Sequence, residues 1–385
     1  MKVDPYNHKE KYLAWKEIIS RNGISGVSEK NSKIILDFVF DMEFGLNVSA
    51  KSVKGARGYP RLNNLRQRMI FMAKKFEELY GVADITQVNE RDLHSLFGGM
   101  RNGSIRRIDG KIYKDSANFV KMFKSFWHWY QKVNRKCGKD IIDITVDLDS
   151  SKDKPMWVYL TEEQIFKLYG AVNLKYKALI MFLFDTGIRS PTELVNTRIS
   201  DFHNNYKELA IRDEVSKTFG RRIKLMLCSK ILKEYIEVNK LKDDDILFPI
   251  IPNTVNKYLQ KYGKKLFGEG KSLAGQKYSE LTMYDFRHCS CCYWLPKYKS
   301  ESALKYRFGW KKSDKIYYYS DLLGMRDTIS EDDLLCDLTK TEIEKKLVIS
   351  ENENDVLQER VATLERQMKE VLEHVKQYEI IVKRC

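Results

Sequence analysis

The sequence contains 385 residues, too many for one ordinary hydrophobic core, and its length predicts two domains with an accessory element. Hydrophobic residues make up 43% and charged residues 31% of the chain, a composition typical of globular proteins and without the long apolar run of a membrane span. Seven irregularly spaced cysteines and an N-terminus without a secretory signal pattern favour a reducing compartment, so we expect a cytoplasmic protein.

Charge is distributed unevenly along the chain. The net charge is +15, but residues 331–385 hold 9 Lys and Arg against 14 Asp and Glu, a balance of −5. The first 330 residues therefore carry +20. A basic body with an acidic tail predicts a polyanionic partner, nucleic acid in particular. The alternative is that the excess of lysine reflects only the base composition of the genome.

The first 145 residues show the apolar periodicity of helices. The predicted helices cover about 8–20, 29–45, 61–81, 90–100 and 114–135. Basic residues of the third helix and of the loop before it fall largely outside the apolar stripe, and are candidate contacts to a DNA backbone. These residues are Lys51, Lys54, Arg57, Arg61, Arg66, Arg68, Lys74 and Lys75. A solvated helix face is an equally good interpretation of each one.

The last of these helices carries a cluster of aromatic residues. The cluster consists of Phe123, Phe126, Trp127, Trp129 and Tyr130. Large apolar side chains at helical spacing predict core packing in preference to a platform for stacked bases. The first 145 residues therefore have the layout of one helical domain.

A second domain is predicted after the polar stretch 147–155, which has the composition of a linker. The order Thr161-Glu162-Glu163-Gln164 is that of a capping box and opens a helix. The apolar helix that follows, from about Tyr176 to Asp185, is expected to stop at Gly187.

Two short strands are predicted in the middle of this second domain. Leu209-Ala210-Ile211 is apolar and Ile223-Lys224-Leu225-Met226-Leu227 is apolar except for its lysine, and a turn through Lys217-Thr218-Phe219-Gly220 separates them. Helices resume after this hairpin and continue to about residue 325. The fold class is therefore α+β, mostly α with a small β-hairpin.

The final 45 residues follow a different pattern. Apolar residues alternate steps of four and three, at Leu357, Val361, Leu364, Met368, Val371, Val375, Tyr378 and Val382. This spacing is a heptad seam, and it predicts a coiled coil over residues 335–385, with a parallel dimer as the first expectation. A single amphipathic helix folded back onto the body is the alternative.

Arg189 lies between two predicted helix ends. The preceding helix stops at Gly187, and Ser190-Pro191-Thr192-Glu193 has the order of an N-cap, a proline at N1 and a glutamate at N3. A guanidinium fixed by two elements suits a bidentate clamp on a phosphate. A structural salt bridge to Glu193 is the alternative.

A second capped helix start is predicted at Thr282-Met283-Tyr284-Asp285, and the helix is expected to end near Leu295-Pro296. Tyr284 and Arg287 are three residues apart, so they share one helix face close to the positive N-terminal end. Two arginines at capped helix starts in a basic domain indicate one anion site.

The motifs with unusual residue types occur in a fixed order. They are Thr186-Gly187-Ile188-Arg189 with Glu193-Leu194, Lys217 in a turn, Tyr284-x-x-Arg287-His288, Gly309-Trp310, and Tyr319 nine residues later. This set resembles the tyrosine recombinase (phage integrase) family, particularly its archaeal-type members. The resemblance covers about residues 155–325, whereas the helical 1–145 resembles the core-binding domain of the family in layout only.

The resemblance implies a role for each matched residue. Arg189 and Arg287 would bind the non-bridging oxygens of the scissile phosphate and stabilise the charge of the transition state. Lys217 would protonate the leaving 5′ oxygen, and the indole N–H of Trp310 would donate to a phosphate oxygen. Tyr319 would attack phosphorus and leave a 3′-phosphotyrosyl link with a free 5′-hydroxyl. The reaction needs no ATP, metal or other cofactor.

The nucleophile is predicted from the helix period and from the family spacing. Consecutive helix residues point about 100° apart, so only one of Tyr317, Tyr318 and Tyr319 faces the arginines. Tyr319 has the family distance from Trp310, and the other two are then packing residues.

Two features depart from the family pattern. Tyr284 stands where the family usually has histidine, and a phenol with a pKa near about 10 donates a hydrogen bond but is a poor proton shuttle at neutral pH. The base for Tyr319 is therefore unassigned. One extra residue also lies between Arg189 and Glu193. The neighbouring His288 points away from Arg287 by the helix period and is predicted to be structural.

The resemblance implies a site-specific DNA recombinase, an integrase of a mobile element, that acts on double-stranded DNA as a tetramer. The predicted domains are a helical core-binding domain (1–146), a linker (147–155), a tyrosine recombinase catalytic domain (156–330) and a coiled-coil tail (335–385). A type IB topoisomerase is the nearest alternative enzyme. A DNA-binding architectural protein that has lost catalysis and dimerises through its tail is the alternative from another class, and Tyr284 is the residue that favours it.

Overall fold

The fold is described from a computed structural model of the chain. The structure describes residues 3–48, 55–107, 109–113, 115–151, 155–298, 300–323, 360–361, 364–365 and 367–368. The chain divides into two compact units, Met1–Ile316 and Tyr317–Cys385. Among the described residues, no helix combines the length and the apolar character that crossing a bilayer requires.

Five helices form the N-terminal part of the first unit. They are α1 (His8–Asn22), α2 (Glu29–Phe44), α3 (Tyr59–Tyr80), α4 (Glu90–Asn102) and α5 (Ala117–Lys136). Each of the five predicted helices is confirmed, with ends displaced by at most three residues. Side-chain caps explain the starts of two of them, because Ser28 accepts from Asn31 N–H and Asn89 accepts from Asp92 N–H.

The aromatic residues of α5 lie in a core shared by these helices. Phe123, Phe126, Trp127 and Trp129 are each at most 3% exposed, and Tyr130 packs against the same core. The prediction of core packing is therefore confirmed, and these rings are not a surface for stacked bases. The core extends from Tyr12 to Leu148 along the chain, and it leaves the opposite face of α5 in contact with solvent.

Seven further helices follow. They are α6 (Glu162–Gly170), α7 (Leu174–Thr186), α8 (Ser229–Val238), α9 (Pro252–Phe267), α10 (Met283–Trp294), α11 (Glu301–Phe308) and α12 (Asp314–Leu322). The predicted capping boxes are present at Thr161 and Thr282. Helix α7 is buried from Ala178 to its end, and it packs against α6, α8 and α10.

A three-stranded antiparallel sheet lies beside these helices. Its strands are β1 (Phe202–His203), β2 (Glu208–Ile211) and β3 (Arg221–Lys224), in the order β1-β2-β3. The predicted hairpin is confirmed as β2 and β3, with Leu209 opposite Ile223 and Ile211 opposite Arg221. Strand β1 escaped prediction because two residues are too few to show an alternating pattern.

The predicted helix start at Ser190 is wrong. Residues 190–193 form a turn that leads into a 3₁₀ helix, Leu194–Asn196, and no α-helix begins there. Ser190 Oγ is buried without a hydrogen-bond partner among the described residues, so Ser190 does not cap a helix. The Glu193 carboxylate instead accepts the backbone N–H of Arg189 at 3.0 Å and binds partners distant in sequence, and these tertiary contacts override the local capping pattern.

The predicted coiled coil, residues 335–385, falls almost entirely outside the described residues. Positions 360–361, 364–365 and 367–368 are helical, and they include three of the predicted seam residues. Val361, Leu364 and Met368 are each more than half exposed. The coiled coil itself stays a prediction.

Candidate active site

Three arginines from separate elements meet at the C-terminal end of α11. Each donates a hydrogen bond to one of three consecutive peptide carbonyls, those of residues 307, 308 and 309. Arg221 Nε lies 2.8 Å from Arg307 O, Arg287 Nη2 lies 2.6 Å from Phe308 O, and Arg189 Nη2 lies 2.6 Å from Gly309 O. The last carbonyls of a helix have no partner within the helix and carry partial negative charge, so cations are favoured there.

Glu193 holds two of these arginines. Its carboxylate accepts from Arg189 Nη1 at 2.8 Å and from both terminal nitrogens of Arg221, at 3.2 and 2.9 Å. The side chains of Arg221 and Glu193 are both 0% exposed. Burial alone would raise the pKa of Glu193, but the hydrogen bonds and positive charges of Arg221 and Arg189 outweigh burial and lower that pKa to about 2. The carboxylate is therefore ionised at neutral pH.

Arg287 extends from the first turns of α10 into the same cluster. It is 4% exposed, and its second terminal nitrogen donates to the carbonyl of Gly187. Burial, followed by the positive charge of Arg189, lowers the pKa of Arg287 to about 10, so the guanidinium remains charged at neutral pH. Arg287 and Arg189 donate to adjacent carbonyls, those of Phe308 and Gly309, and two guanidiniums side by side form a centre that attracts an anion.

Gly187 makes this approach possible. It ends α7 with a φ of 56°, and a Cβ atom there would lie 2.2 Å from Phe308 Cε1. A larger residue would therefore force the Phe308 ring or the end of α7 to move, next to the Phe308 carbonyl that Arg287 binds. The glycine that sequence analysis interpreted as a helix stop also sets the spacing within the arginine cluster.

Arg189 satisfies the prediction of a fixed guanidinium, but by a different route. The salt bridge to Glu193 is present, so the structural alternative from sequence analysis is confirmed as a contact. The Arg189 side chain is still 14% exposed, whereas that of Arg221 is fully covered. The guanidinium has five N–H donors, so Arg189 keeps donor capacity beyond its bonds to Glu193 and Gly309, and a phosphate oxygen is a suitable acceptor.

Lys217 lies on the loop between β2 and β3, as predicted, and its side chain is exposed. The two flanking hydroxyls bind the arginine cluster: Ser216 Oγ donates to Glu193 Oε1 at 3.2 Å, and Thr218 Oγ1 donates to Gly309 O at 2.9 Å. The lysine is thus carried by a segment attached to the cluster on both sides.

Trp310 and Tyr284 lie at the margin of the cluster. The Trp310 ring stacks on Phe308 with centroids 4.9 Å apart, and the guanidinium of Arg287 lies 5.5 Å from the Phe308 centroid. Tyr284 is 46% exposed, and its ring meets His288 edge-on at 5.1 Å. His288 also stacks on Trp157 at 4.7 Å, as expected of a structural residue.

The three consecutive tyrosines lie on α12 and belong to the second compact unit. Their environments differ in the way that a rotation of about 100° per residue predicts. Tyr317 is 71% exposed, Tyr318 is half-buried, and Tyr319 is 3% exposed with its ring 5.1 Å from that of Tyr318. The choice of Tyr319 as the nucleophile stays a prediction.

The described residues contain no group of three or more His, Cys, Asp or Glu side chains that is arranged to hold a metal ion. The three cysteines of α10, Cys289, Cys291 and Cys292, are buried, and burial raises the pKa of Cys292 to about 12. Such thiols are poor metal ligands and poor nucleophiles, because the thiolate is the reactive form.

The eight predicted DNA-binding residues fall into three groups. Lys51 and Lys54 lie outside the described residues. Arg66, Arg68 and Lys75 make contacts within the domain: Arg66 donates to Asn63, Arg68 lies over the Phe119 ring, and Lys75 pairs with Glu78. Arg57, Arg61 and Lys74 are the remaining three, and Arg61 and Lys74 are exposed.

A second set of basic residues, not singled out by sequence analysis, lies on α5. Lys121, Lys124, His128, Lys132 and Arg135 follow one another at steps of three and four, which places them on one helix face. We call this the α5 basic face. Together with Arg57 it lines an open cavity of about 780 Å³. The spacing of these charges by three and four residues could have predicted a basic helix face. The aromatic residues of the same helix were interpreted instead, and they belong to its core-facing side.

Arg221 was also missed. It follows the predicted turn, and in the sequence it is one of two adjacent arginines at the start of a strand. Strand alternation puts Arg221 on the buried side and Arg222 on the exposed side. Two adjacent arginines usually indicate a solvent-exposed strand, so the sequence pattern wrongly favoured an exposed position for Arg221.

The structure thus brings Arg189, Arg287 and the loop of Lys217 together around the end of α11. Fixed guanidinium donors of this kind are suited to binding an anion such as phosphate. Residues 158–324 match the model described as the phage integrase family. A search of curated protein sequences gave no significant match.

Solved structures with similar folds include a lambda integrase dimer bound to a COC′ core site, with 14% sequence identity over 83% of this chain and 84% of that chain, and a TM-score of 0.56. The Tn1549 transposon integrase in complex with circular intermediate DNA shares 13% identity over 81% of this chain and 99% of that chain, with a TM-score of 0.54. A lambda integrase tetramer bound to a Holliday junction shares 14% identity over 82% and 83% of the two chains, with a TM-score of 0.56. At these identities the likeness shows the fold.

Proposed function

We propose that the protein is a site-specific tyrosine recombinase that cleaves and rejoins duplex DNA through a 3′-phosphotyrosyl intermediate. The observation that carries the proposal is the arginine cluster, in which Arg189 and Arg287 are held side by side at the end of α11 within the phage integrase domain. A pair of fixed guanidiniums, with Arg287 buried and Arg189 partly exposed, matches the charge of a pentavalent phosphate and needs little reorganisation to bind it.

The chemistry exchanges one phosphodiester bond for another. The Tyr319 oxygen attacks phosphorus as its phenol proton passes to water, and the bond between phosphorus and the 5′ oxygen breaks. Lys217 gives a proton to that oxygen, which leaves as a 5′-hydroxyl. Arg189 and Arg287 stabilise the added negative charge on the non-bridging oxygens, and Trp310 donates its indole N–H to one of them. Attack by a new 5′-hydroxyl reverses these steps and rejoins the strand.

Tyr284 takes part through its hydroxyl group. It is 46% exposed and lies three residues before Arg287 on α10. A neutral phenol at this place donates a hydrogen bond to a phosphate oxygen but does not accept the proton of Tyr319. Tyr284 therefore supports binding of the phosphate in our proposal, and solvent serves as the base.

Binding to the DNA backbone is assigned to the helical residues 1–146, with 147–155 as the linker to a catalytic domain over 156–330. The α5 basic face supports this assignment, because exposed Lys and Arg on one helix face supply affinity that does not depend on base sequence. Similar folds occur in integrases solved with DNA, including a tetramer on a Holliday junction. We infer the same class of partner here and assembly of four protomers.

Three finer assignments remain predictions from sequence. They are membership of the archaeal-type integrases, a cytoplasmic location, and a coiled-coil dimer over residues 335–385. For the tail, sedimentation of a 335–385 peptide is expected to show an oligomer, and a monomer at high micromolar concentration would contradict the coiled coil.

The proposal is tested with a suicide duplex that carries a nick next to the cleavage site, so that cleavage releases a short fragment and traps the protein. The binding site is first selected from random-sequence duplexes. Wild type is expected to give a protease-sensitive adduct on the 3′ side, and mass spectrometry of its peptides identifies the tyrosine. Tyr319→Phe is expected to abolish the adduct, with Tyr317→Phe and Tyr318→Phe as matched controls. Absence of any adduct with wild type would sink the enzymatic proposal.

A further inference from the structure

The loop that carries Lys217 is attached to the two groups that hold Arg189. Arg189 has two fixed partners, the carboxylate of Glu193 and the carbonyl of Gly309. The residue before Lys217 binds the first of these partners, and the residue after it binds the second. The lysine is therefore bracketed by contacts to the same atoms that position the arginine.

The contact before the lysine is made by Ser216. Its hydroxyl donates to Glu193 Oε1 at 3.2 Å, the oxygen that also accepts Arg189 Nη1. Ser216 Oγ in turn accepts the backbone N–H of Thr218 at 3.3 Å, which closes the chain around Lys217. Since Glu193 is fully buried and bound by Arg221, it is a rigid anchor for this side of the loop.

The contact after the lysine is made by Thr218. Its hydroxyl donates to Gly309 O at 2.9 Å, and Arg189 Nη2 donates to the same oxygen at 2.6 Å. A Cβ atom on Gly309 would lie 3.2 Å from Thr218 Oγ1 and 3.3 Å from Arg189 Nη1. The close packing leaves the threonine hydroxyl directed at the carbonyl.

We propose that Ser216 and Thr218 are positioning residues that hold the Lys217 loop in register with Arg189. This inference rests on the proposed function and on Lys217 as the general acid. A lysine ammonium is a point charge on a flexible stem, so its delivery depends on the backbone that carries it. Proton transfer requires the donor within about 2.6–3.2 Å of the acceptor, and a loop displaced by about 1 Å loses much of that advantage.

The positioning role makes a selective prediction about the leaving group. In the ordinary reaction the 5′ oxygen departs as an alcohol and needs a proton from Lys217. If sulfur replaces that bridging oxygen, the group departs as a thiolate, whose conjugate acid has a pKa near about 8.5, and protonation is no longer required. Loss of loop register therefore slows cleavage of the oxygen substrate and spares the sulfur substrate. A general loss of folding or of phosphate binding slows both.

The experiment measures single-turnover cleavage of two suicide duplexes that differ only in a 5′-bridging oxygen or sulfur, at saturating protein. Thr218→Val and Ser216→Ala remove the hydroxyls, and Thr218→Ser keeps one as the matched control. We expect each hydroxyl deletion to slow the oxygen substrate roughly tenfold or more, part of the 10²–10⁴ typical of general acid catalysis, with less than about a threefold change for sulfur. Thr218→Ser should restore the oxygen rate. Lys217→Ala removes the proton donor itself, so it gives the largest slowing of the oxygen substrate relative to the sulfur substrate that loss of loop register could cause.

Three results would overturn the inference. Equal slowing of both substrates assigns the hydroxyls to folding or phosphate binding, and wild-type rates on both show that the loop needs no anchors. In either case the wild-type adduct still forms and the recombinase proposal stands. If wild type forms no adduct with either duplex, the recombinase proposal fails, and the positioning role fails with it.

Discussion

Two regions of this protein concentrate positive charge and use it in different ways. In the arginine cluster, Arg221 and Arg287 are almost fully buried and every guanidinium has fixed partners. On the α5 basic face all the basic residues except the half-buried Lys124 are exposed. They contact loop carbonyls and carboxylates at the surface, as Lys132 does with Val48 O at 2.7 Å. The arginine cluster holds its guanidiniums in fixed positions, whereas the α5 basic face provides a positive surface potential.

This difference indicates which property each region can provide. Buried charges are screened little by salt, and they can place hydrogen bonds to within a fraction of an ångström. Exposed charges are screened over about 10 Å at ordinary ionic strength, and they supply affinity through the release of counterions. We therefore expect substitutions in the cluster to affect folding and catalysis, and substitutions on α5 to affect DNA affinity and its dependence on salt.

The largest effect is expected from Glu193→Ala. The change leaves the fully buried guanidinium of Arg221 without its counter-charge, and breaking a buried pair in this way typically costs about 3–5 kcal/mol of unfolding free energy. Denaturant unfolding measures the loss. Glu214→Ala is the matched control, because Glu214 forms an exposed ion pair with Arg212 nearby and should cost less than about 1 kcal/mol. Equal losses in the two variants would contradict the comparison.

The same carboxylate predicts a dependence on pH. The pKa of Glu193 is about 2 in the folded protein and 4.5 in its ordinary state, so the unfolded chain binds a proton more tightly. The stabilisation is present above about pH 4.5 and is lost as the pH falls from there toward about 2. The difference in unfolding free energy between wild type and Glu193→Gln should therefore narrow between about pH 6 and about pH 3. A constant difference would argue against an ionised Glu193.

The largest effect on catalysis is expected from Arg189→Lys. Lysine keeps the charge but loses the planar fork that binds Glu193 and Gly309 at once. Removing one preorganised donor typically lowers the rate of the chemical step by about 10²–10³. Single-turnover cleavage should fall by that factor, while DNA affinity at fixed salt changes by less than about threefold. If the substitution mainly weakened DNA affinity, Arg189 would act by general electrostatic attraction of DNA and not by a fixed contact in catalysis.

The smallest effect is expected from the double substitution Lys121→Gln with Lys132→Gln on the α5 basic face. Each lysine that contacts a phosphate contributes about one to the slope of log affinity against log salt, so the slope should decrease by about two. Cleavage at saturating DNA should stay within about twofold of wild type. Lys30→Gln with Lys33→Gln on α2 is the matched control for the change in charge. An unchanged slope would remove the α5 basic face from the interface.

Sequence alone predicted most of the fold. The helix ends were predictable because caps such as Ser28 and Thr161 act within one turn, and apolar periodicity defines the buried face. The hairpin of β2 and β3 followed from apolar runs on either side of a turn. The places of Arg189, Lys217 and Arg287 in the chain were also available, because each follows a recognisable helix end or turn.

The contacts that hold these residues were beyond sequence reasoning. The turn at 190–193 was mistaken for a helix start, because the partners of Glu193 come from Arg221 and Ser216, more than 20 residues away. Arg221 itself has the local pattern of a surface residue. Local rules describe how a segment satisfies its own backbone, and they fail where a distant charge offers a stronger partner.

The three acceptors at the end of α11 belong to the peptide backbone and not to side chains. Sequence drift at positions 307–309 can alter packing, but it cannot delete a carbonyl. Each of these hydrogen bonds thus depends on the residue type of its donor, the arginine, and not on that of its acceptor. Evolutionary change at positions 307 and 308 can therefore alter the packing of this helix end while its three hydrogen bonds persist, provided that the three arginines are retained. Gly309 must also be retained, because a Cβ atom there would lie 3.0 Å from Arg221 Nη1.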